Sequence, residues 1–375
     1  MGLHPYQVKP KGMYDVLYGL IGACEAFKPE IYDDRKGVPT IGYGTALLVK
    51  SGTKWQLRTG EGRKAEDKLY RLFTDVGKVD IARPIFQNDV EKLKKIATAL
   101  NTSGQKKASE LIAQYGDSFK LTVNEDQAEA IRQYTIEEYM GHVQSALDST
   151  KRKNKPWPGQ RETFNKLRAS YDLAALVSIA YNGPALLTDE LVGYIVRGER
   201  QDAFVYIAYF MRANMLEGQK GYVTRSYMEG ETFSWFDGET PTKEETDKLE
   251  KVYQENKEFI DEYDKEHRAK LKSEVRGYHP MSELISLARQ GKIRRVVPVK
   301  VFRKSGTSHP QDSCSKCHRT AHATLLDDPE AFEQVALRYI RESHPADGDL
   351  GNAWAVVQLR YGPLFDEDEE WLWDA

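Results

Sequence analysis

The segment Leu173–Tyr181, LAALVSIAY, is apolar almost all the way round. A helix of that kind cannot lie on a surface and must be enclosed by other elements. It predicts a central buried helix, ended by Asn182-Gly183-Pro184. Helical patterns flank it at about 121–150, 186–197, 201–216 and 221–230. A further amphipathic helix is expected over 12–28, where Met13, Val16, Leu17, Leu20, Ile21 and Cys24 recur at spacings of three and four before Pro29. Residues 64–115 are charged and helical in pattern, with a break at Asn101–Gly104. Ile293–Arg303 is a basic, β-rich stretch, and 30–48, EIYDDRKGVPTIGYGTALL, differs in kind from the helical segments. Its Tyr, Ile, Val and Thr alternate with glycine and proline, which predicts a short β-hairpin or meander turning at Asp33–Gly37 and near Gly42. The expected fold class is α+β, mainly α.

The 375 residues suggest two or three domains. A formal net charge of −3 argues against a nucleic-acid binder, while leaving room for a local basic face that meets an anionic polymer. No apolar run approaches the length of a membrane span. The N-terminal residues lack the pattern of a secretory leader, so synthesis as a cytoplasmic chain is expected, with any export depending on another carrier. Composition shifts near 237–248, where a domain boundary is expected. Residues 246–274 read as a very polar helix, a solvated spacer rather than a core element. A small C-terminal unit follows and ends in the acidic stretch DEDEEWLWDA.

Two carboxyl groups draw attention because their surroundings differ. Glu25 closes an apolar helix, where partial desolvation favours a protonated acid. Asp34 follows in a polar turn and is expected to stay ionised. Thr40 begins the glycine-rich strand turn, where its hydroxyl could hold a water. An acid to protonate a leaving oxygen and a carboxylate to activate water or stabilise positive charge suit glycoside hydrolysis. The neighbouring glycines let backbone and sugar approach closely. Taken alone, such carboxylates are also what a solvated surface carries.

The order of these residues is more specific. Glu25, Tyr32, Asp34, Gly37 and the run Thr40-Ile41-Gly42-Tyr43-Gly44 resemble the active-site signature of the phage-type lysozymes, glycoside hydrolase family 24. Leu121-Thr-Val-Asn-Glu125, the 174–183 helix ending in Tyr-Asn-Gly, and Gly221-Tyr-Val-Thr-Arg225 resemble later segments of that family. The resemblance covers about 12–235 and is interrupted at about 50–118. It implies a lysozyme-like domain over 1–238, with a small β-hairpin lobe and a helical lobe, and an accessory unit over 246–375. It implies Glu25 as general acid, Asp34 as the residue that positions or activates water, Thr40 as its helper, and Tyr32, Gly42 and Tyr43 as substrate-binding. Arg225 is expected either near Glu25 or in an ion pair on a helix surface. Ala26 and Thr45 depart from the family's usual Gly and His. The insertion reads as a lid, a substrate platform, a surface for an inhibitor protein, or a helical hairpin without a role of its own.

Cys314-Ser-Lys-Cys317-His318 matches a haem-attachment spacing, and with His309 and His322 a tetrahedral zinc site. Free thiols or a short-loop disulfide are the other readings, and neither cofactor nor metal is assigned to the catalytic residues. The expected function is hydrolysis of the β-1,4 bond between N-acetylmuramic acid and N-acetylglucosamine in bacterial peptidoglycan. The settings considered are a phage lytic enzyme and a wall-degrading antibacterial effector, acting on the periplasmic wall after delivery. The latter implies a cognate immunity protein or a secretion or tail component as partner. The alternatives are a lytic transglycosylase, a module that grips glycan without cutting it, and a toxin with a second activity in 246–375.

Overall fold

A computed structural model describes residues 10–25, 27–148, 160–212, 221–275 and 277–295. Among them the protein is mainly helical with two small antiparallel sheets. The chain divides into two compact units, one formed by residues 24–143 and the other by 1–23 together with the chain from 144 onward. The division expected near 238–246 is not where these units part.

The first helix, α1 (Pro10–Cys24), stops four residues earlier than its periodicity suggested. Pro29 disfavours helical backbone at Lys28, which instead opens strand β1 (Lys28–Asp33). Strands β2 (Pro39–Gly42) and β3 (Thr45–Ala46) complete a three-stranded sheet in the order β1-β2-β3. Its register pairs Tyr32 with Thr40 and Ile41 with Thr45, with an irregularity between Lys28 and Tyr32. A second hairpin, β4 (Leu48–Ser51) and β5 (Lys54–Leu57), opens the insertion. Helices α2 (Gly62–Arg71), α3 (Arg83–Thr102) and α4 (Gln105–Tyr115) follow, then α5 (Glu125–Asp148). The break expected at Asn101–Gly104 is present, with helix α3 continuing to Thr102. The chain turns only at Ser103 and Gly104, where Gly104 takes φ +85°.

The insertion and the sheet share one core. Ile31, Val38 and Ile41 from the strands are buried together with Leu69, Phe73, Phe86, Leu93, Ile96, Ala108 and Ile112 from the insertion and Ile131 from α5. Two polar ties fix this packing. Asn101 on α3 accepts from the Trp55 amide at 2.7 Å and donates to the Trp55 carbonyl at 2.9 Å, so its side chain extends the β5 edge. Asp89, 1% exposed, accepts from the Lys120 and Leu121 amides at 2.8 Å each and from Lys92 Nζ at 2.9 Å. It binds the far end of the insertion back to α3. Removing a buried acceptor leaves its donors without partners. Asp89→Ala is therefore expected to lower unfolding free energy by about 2–3 kcal/mol in urea titrations of the full chain. A loss below about 0.5 kcal/mol would mean that water replaces the carboxylate.

Among its described residues the second unit is helical. Helices α6 (Gln160–Leu167), α7 (Tyr171–Asn182), α8 (Asp189–Arg197), α9 (Arg200–Val205) and α10 (Gly221–Phe233) lead to α11 (Lys243–Glu255), α12 (Lys257–Glu274) and α13 (Met281–Arg289). Every residue from Tyr171 to Tyr181 is buried, as the apolar run requires, and Ser170 caps α7 by accepting from Leu173 N at 3.1 Å. Helix α10 packs along α7.

The polar stretch 246–274 is not a solvated spacer. It breaks at Asn256 into α11 and α12, which pack on α9 and α10. Leu249, Val252, Tyr253, Ile260, Tyr263 and Leu271 form the one buried face of an otherwise charged sequence. Asp264 locks it down by accepting from Tyr278 Oη at 3.0 Å and the Met281 amide at 2.8 Å. Residues 1–9, Ala26, Lys151–Gly159, the end of the expected 201–216 helix, the basic stretch beyond Arg295, Cys314, Cys317, the nearby histidines and the acidic tail lie outside the described residues. Among the described residues no helix is long and apolar enough to cross a membrane, and no cluster of His, Cys, Asp and Glu is arranged to hold a metal ion.

Candidate active site

Glu25 occupies a bend directly after α1, so it follows the helix rather than closing its last turn. It is half-buried, and its carboxyl lies against Gly44 in the turn between β2 and β3. A Cβ built on Gly44 would stand 3.0 Å from both Glu25 Cδ and Oε2. Gly44 also takes φ +82°, a conformation that side chains resist. The second glycine of the Gly-Tyr-Gly run thus makes the space in which the carboxyl sits.

Asp34 lies in the loop joining β1 to β2. Its Oδ1 accepts from the amides of Lys36 at 2.8 Å and Val38 at 3.0 Å. Asp33 does the same for Arg35 and Gly37, at 2.9 Å each. Two successive aspartates therefore hold one tight loop in shape. Burial pushes the Asp34 carboxyl above the ordinary aspartate value, and the two amide hydrogen bonds pull against that shift. The polar turn is thus less watery than its sequence suggested. Asp34 Oδ2 makes no hydrogen bond among the described residues and is the oxygen able to meet a water.

Tyr32 lies within electrostatic reach of both carboxyls. Its pairing with Thr40 places both side chains on one face of the sheet. Burial, then the charges of Glu25 and Asp34, push its phenol well above the usual range. The hydroxyl therefore stays protonated within electrostatic reach of both acids. Thr40 is 4% exposed, and its Oγ1 donates to the Val38 carbonyl at 3.1 Å. With that proton committed, the hydroxyl can only accept from a water.

The remaining expected residues fare differently. Tyr43 is half-buried, with its ring 5.4 Å from Phe27 and the Arg132 guanidinium 4.8 Å from its centroid. Phe27 and Arg132 carried no local signal in the sequence. Gly42 is buried and packs against α5, where an added Cβ would meet Ala128 Cβ at 2.9 Å. Its lack of a side chain admits this helix, and Gly44 is the glycine at the Glu25 carboxyl. Arg225 is not on a helix surface. It is 4% exposed and pairs with Glu229 at 2.9 Å.

No family model, no curated protein sequence and no solved structure matches this chain. The site rests on its own geometry.

That geometry makes Gly44 testable. Gly44→Ala is expected to lower the melting temperature and reduce turnover at least roughly tenfold, because it adds backbone strain and displaces the Glu25 carboxyl. Gly52 in the β4–β5 turn also has positive φ, but a Cβ placed there would meet nothing within 4 Å. Gly52→Ala should therefore cost stability alone. Equal turnover in the two variants would break the link between Gly44 and Glu25.

Proposed function

We propose that this chain is a peptidoglycan muramidase that hydrolyses the β-1,4 bond between N-acetylmuramic acid and N-acetylglucosamine. One observation carries the reading most: Glu25, in the bend before β1, and Asp34, in the loop after it, both act electrostatically on Tyr32 of β1, and Glu25 is seated against Gly44. The resemblance of this segment to the phage-type lysozymes supports it.

In the proposed reaction Glu25, protonated, donates to the glycosidic oxygen as the bond to the anomeric carbon breaks. Positive charge develops on the sugar ring. Asp34 Oδ2 either stabilises that charge or takes a proton from the attacking water. The Tyr32 hydroxyl, kept protonated by burial and its two acidic neighbours, is a donor to substrate or water at their side. Thr40 supplies an acceptor for the same water. Tyr43, packed with Phe27 and Arg132, offers a firm aromatic edge for a sugar face. A role as a wall-degrading effector or a phage lytic enzyme, with the partners each implies, belongs to this same proposal.

The test is digestion of purified sacculi, with the released fragments analysed by mass. Reducing-end muropeptides support hydrolysis. Anhydro ends would assign the chain to transglycosylation, in which Asp34 need not activate water. Binding to sacculi without release would leave a glycan-gripping module.

A further inference from the structure

Helix α2 of the insertion carries a row of cations with no counter-charge. Arg63, Lys64, Lys68 and Arg71 are all exposed and make no ion pair or hydrogen bond among the described residues. At 3.6 residues per turn they fall within an arc of about 140° along roughly 12 Å of helix. The opposite side, with Ala65 and Leu69, is buried in the core. The acids beside them are already matched from other elements: Glu61 by Lys54, Glu66 by Lys94, and Asp67 by Arg83. The excess of positive charge is therefore local, on a chain whose formal net charge is −3.

The placement of Arg63 and Lys64 sharpens the point. Both stand in the first turn of α2, which holds no acidic residue. The positive end of the helix dipole disfavours cations there. Local stability would choose Asp or Glu, and the acid at this end, the N-cap Glu61, is already engaged by Lys54. A chain that breaks a local rule without a structural gain usually does so for a binding reason.

We propose that this face of α2 docks the carboxylate-bearing peptide stems of peptidoglycan, holding the polymer on the same compact unit that carries Glu25. The inference rests on the muramidase reading for its choice of polyanion. Charge complementarity selects the occupant: a repeating array of carboxylates fits a row of flexible cations, whereas the neutral glycan backbone gives it nothing to bind. The insertion is then a substrate platform.

Co-sedimentation with intact sacculi tests this in the full chain carrying Glu25→Gln, so that the polymer is not cut during the measurement. The probe is compared with sacculi whose carboxyls have been converted to neutral amides. Reversal of the first-turn pair, Arg63→Glu with Lys64→Glu, is expected to fold at least as well as the parent, because it suits the helix dipole. It should bind intact sacculi roughly tenfold more weakly and lose most of the salt dependence. Amidated sacculi should bind parent and variant equally. Unchanged affinity in the variant, or an equal loss on amidated sacculi, overturns the proposal. So does variant-sensitive binding confined to phosphatidylglycerol vesicles, which would make the face a membrane contact. Because the readout is binding, failure here is separate from failure of hydrolysis in the Glu25-intact chain.

Discussion

Glu25→Gln is expected to reduce sacculus digestion by about 10³-fold while leaving the fold and wall binding intact. General acid catalysis contributes on the order of 10²–10⁴-fold, and the glutamine amide keeps the shape of the side chain but has no proton of suitable acidity to give. The loss corresponds to about 4 kcal/mol of transition-state stabilisation. It should fall on turnover far more than on KM, since the acid acts only as the leaving oxygen departs. The Gly44 turn should accept the amide, because the replaced group is isosteric with the carboxyl it faces. Circular dichroism and thermal melting would show an unchanged fold. Digestion within about threefold of the parent would exclude Glu25 as the acid, and with it the proposed mechanism.

Glu229→Ala is expected to be the most destabilising single change away from the proposed site. Glu229 is 0% exposed, 2.7 Å from Arg212 and 2.9 Å from Arg225. Ser178 Oγ also donates to it at 2.8 Å. Removing the carboxylate leaves two buried guanidiniums facing each other without their shared anion. Breaking a buried pair from one side costs about 3–5 kcal/mol. For a unit of this size that is on the order of 10 °C in melting temperature. The pH dependence follows. Burial pushes the Glu229 carboxyl up, but Arg212 and Arg225 outweigh it and hold it below the ordinary glutamate value of 4.5. Its folded-state proton affinity is therefore weaker than in the unfolded chain. The stability it contributes is complete above 4.5 and fades as pH falls through the lower folded value. The gap between parent and Glu229→Ala should narrow in acid. A constant gap from neutral pH down to about 3 would show that the carboxylate's charge is not what holds the arginines.

The sequence announced some of this and hid the rest, for physical reasons. Period and composition sufficed for α7, where no side of LAALVSIAY tolerates water, and for the β1–β2 loop, where Asp33, Asp34 and Gly37 have few conformations open to them. The mainly helical α+β class follows from such segments. Elements stabilised at long range were harder to see. The buried face of 246–274 consists of scattered apolar residues among many charges, so its charge count suggested a spacer. Asp89 and Glu229 look like ordinary helix-surface acids until the amides of 120 and 121, or Arg212, arrive from distant sequence. At the site, the motif named Glu25, Tyr32, Asp34 and Thr40, which the fold places on or beside one sheet. It did not show that Gly42 admits α5 while Gly44 admits the acid, because only the packed helix distinguishes the two glycines. It missed Arg132 for the same reason.

The division of the chain bears on how it is made. Residues 24–143 are continuous, so that unit is complete once residue 143 leaves the ribosome. The other unit takes its first segment from residues 1–23 and everything else from 144 onward. Helix α1 therefore emerges before the 24–143 unit and settles after it. Met13, Val16, Leu17, Leu20 and Ile21, each at most 3% exposed in the finished structure, wait uncovered while some 120 residues are synthesised. At about 5–20 residues per second that wait is several seconds to tens of seconds. During it the nascent chain presents a sticky amphipathic helix, a handle for a holdase and a hazard in its absence.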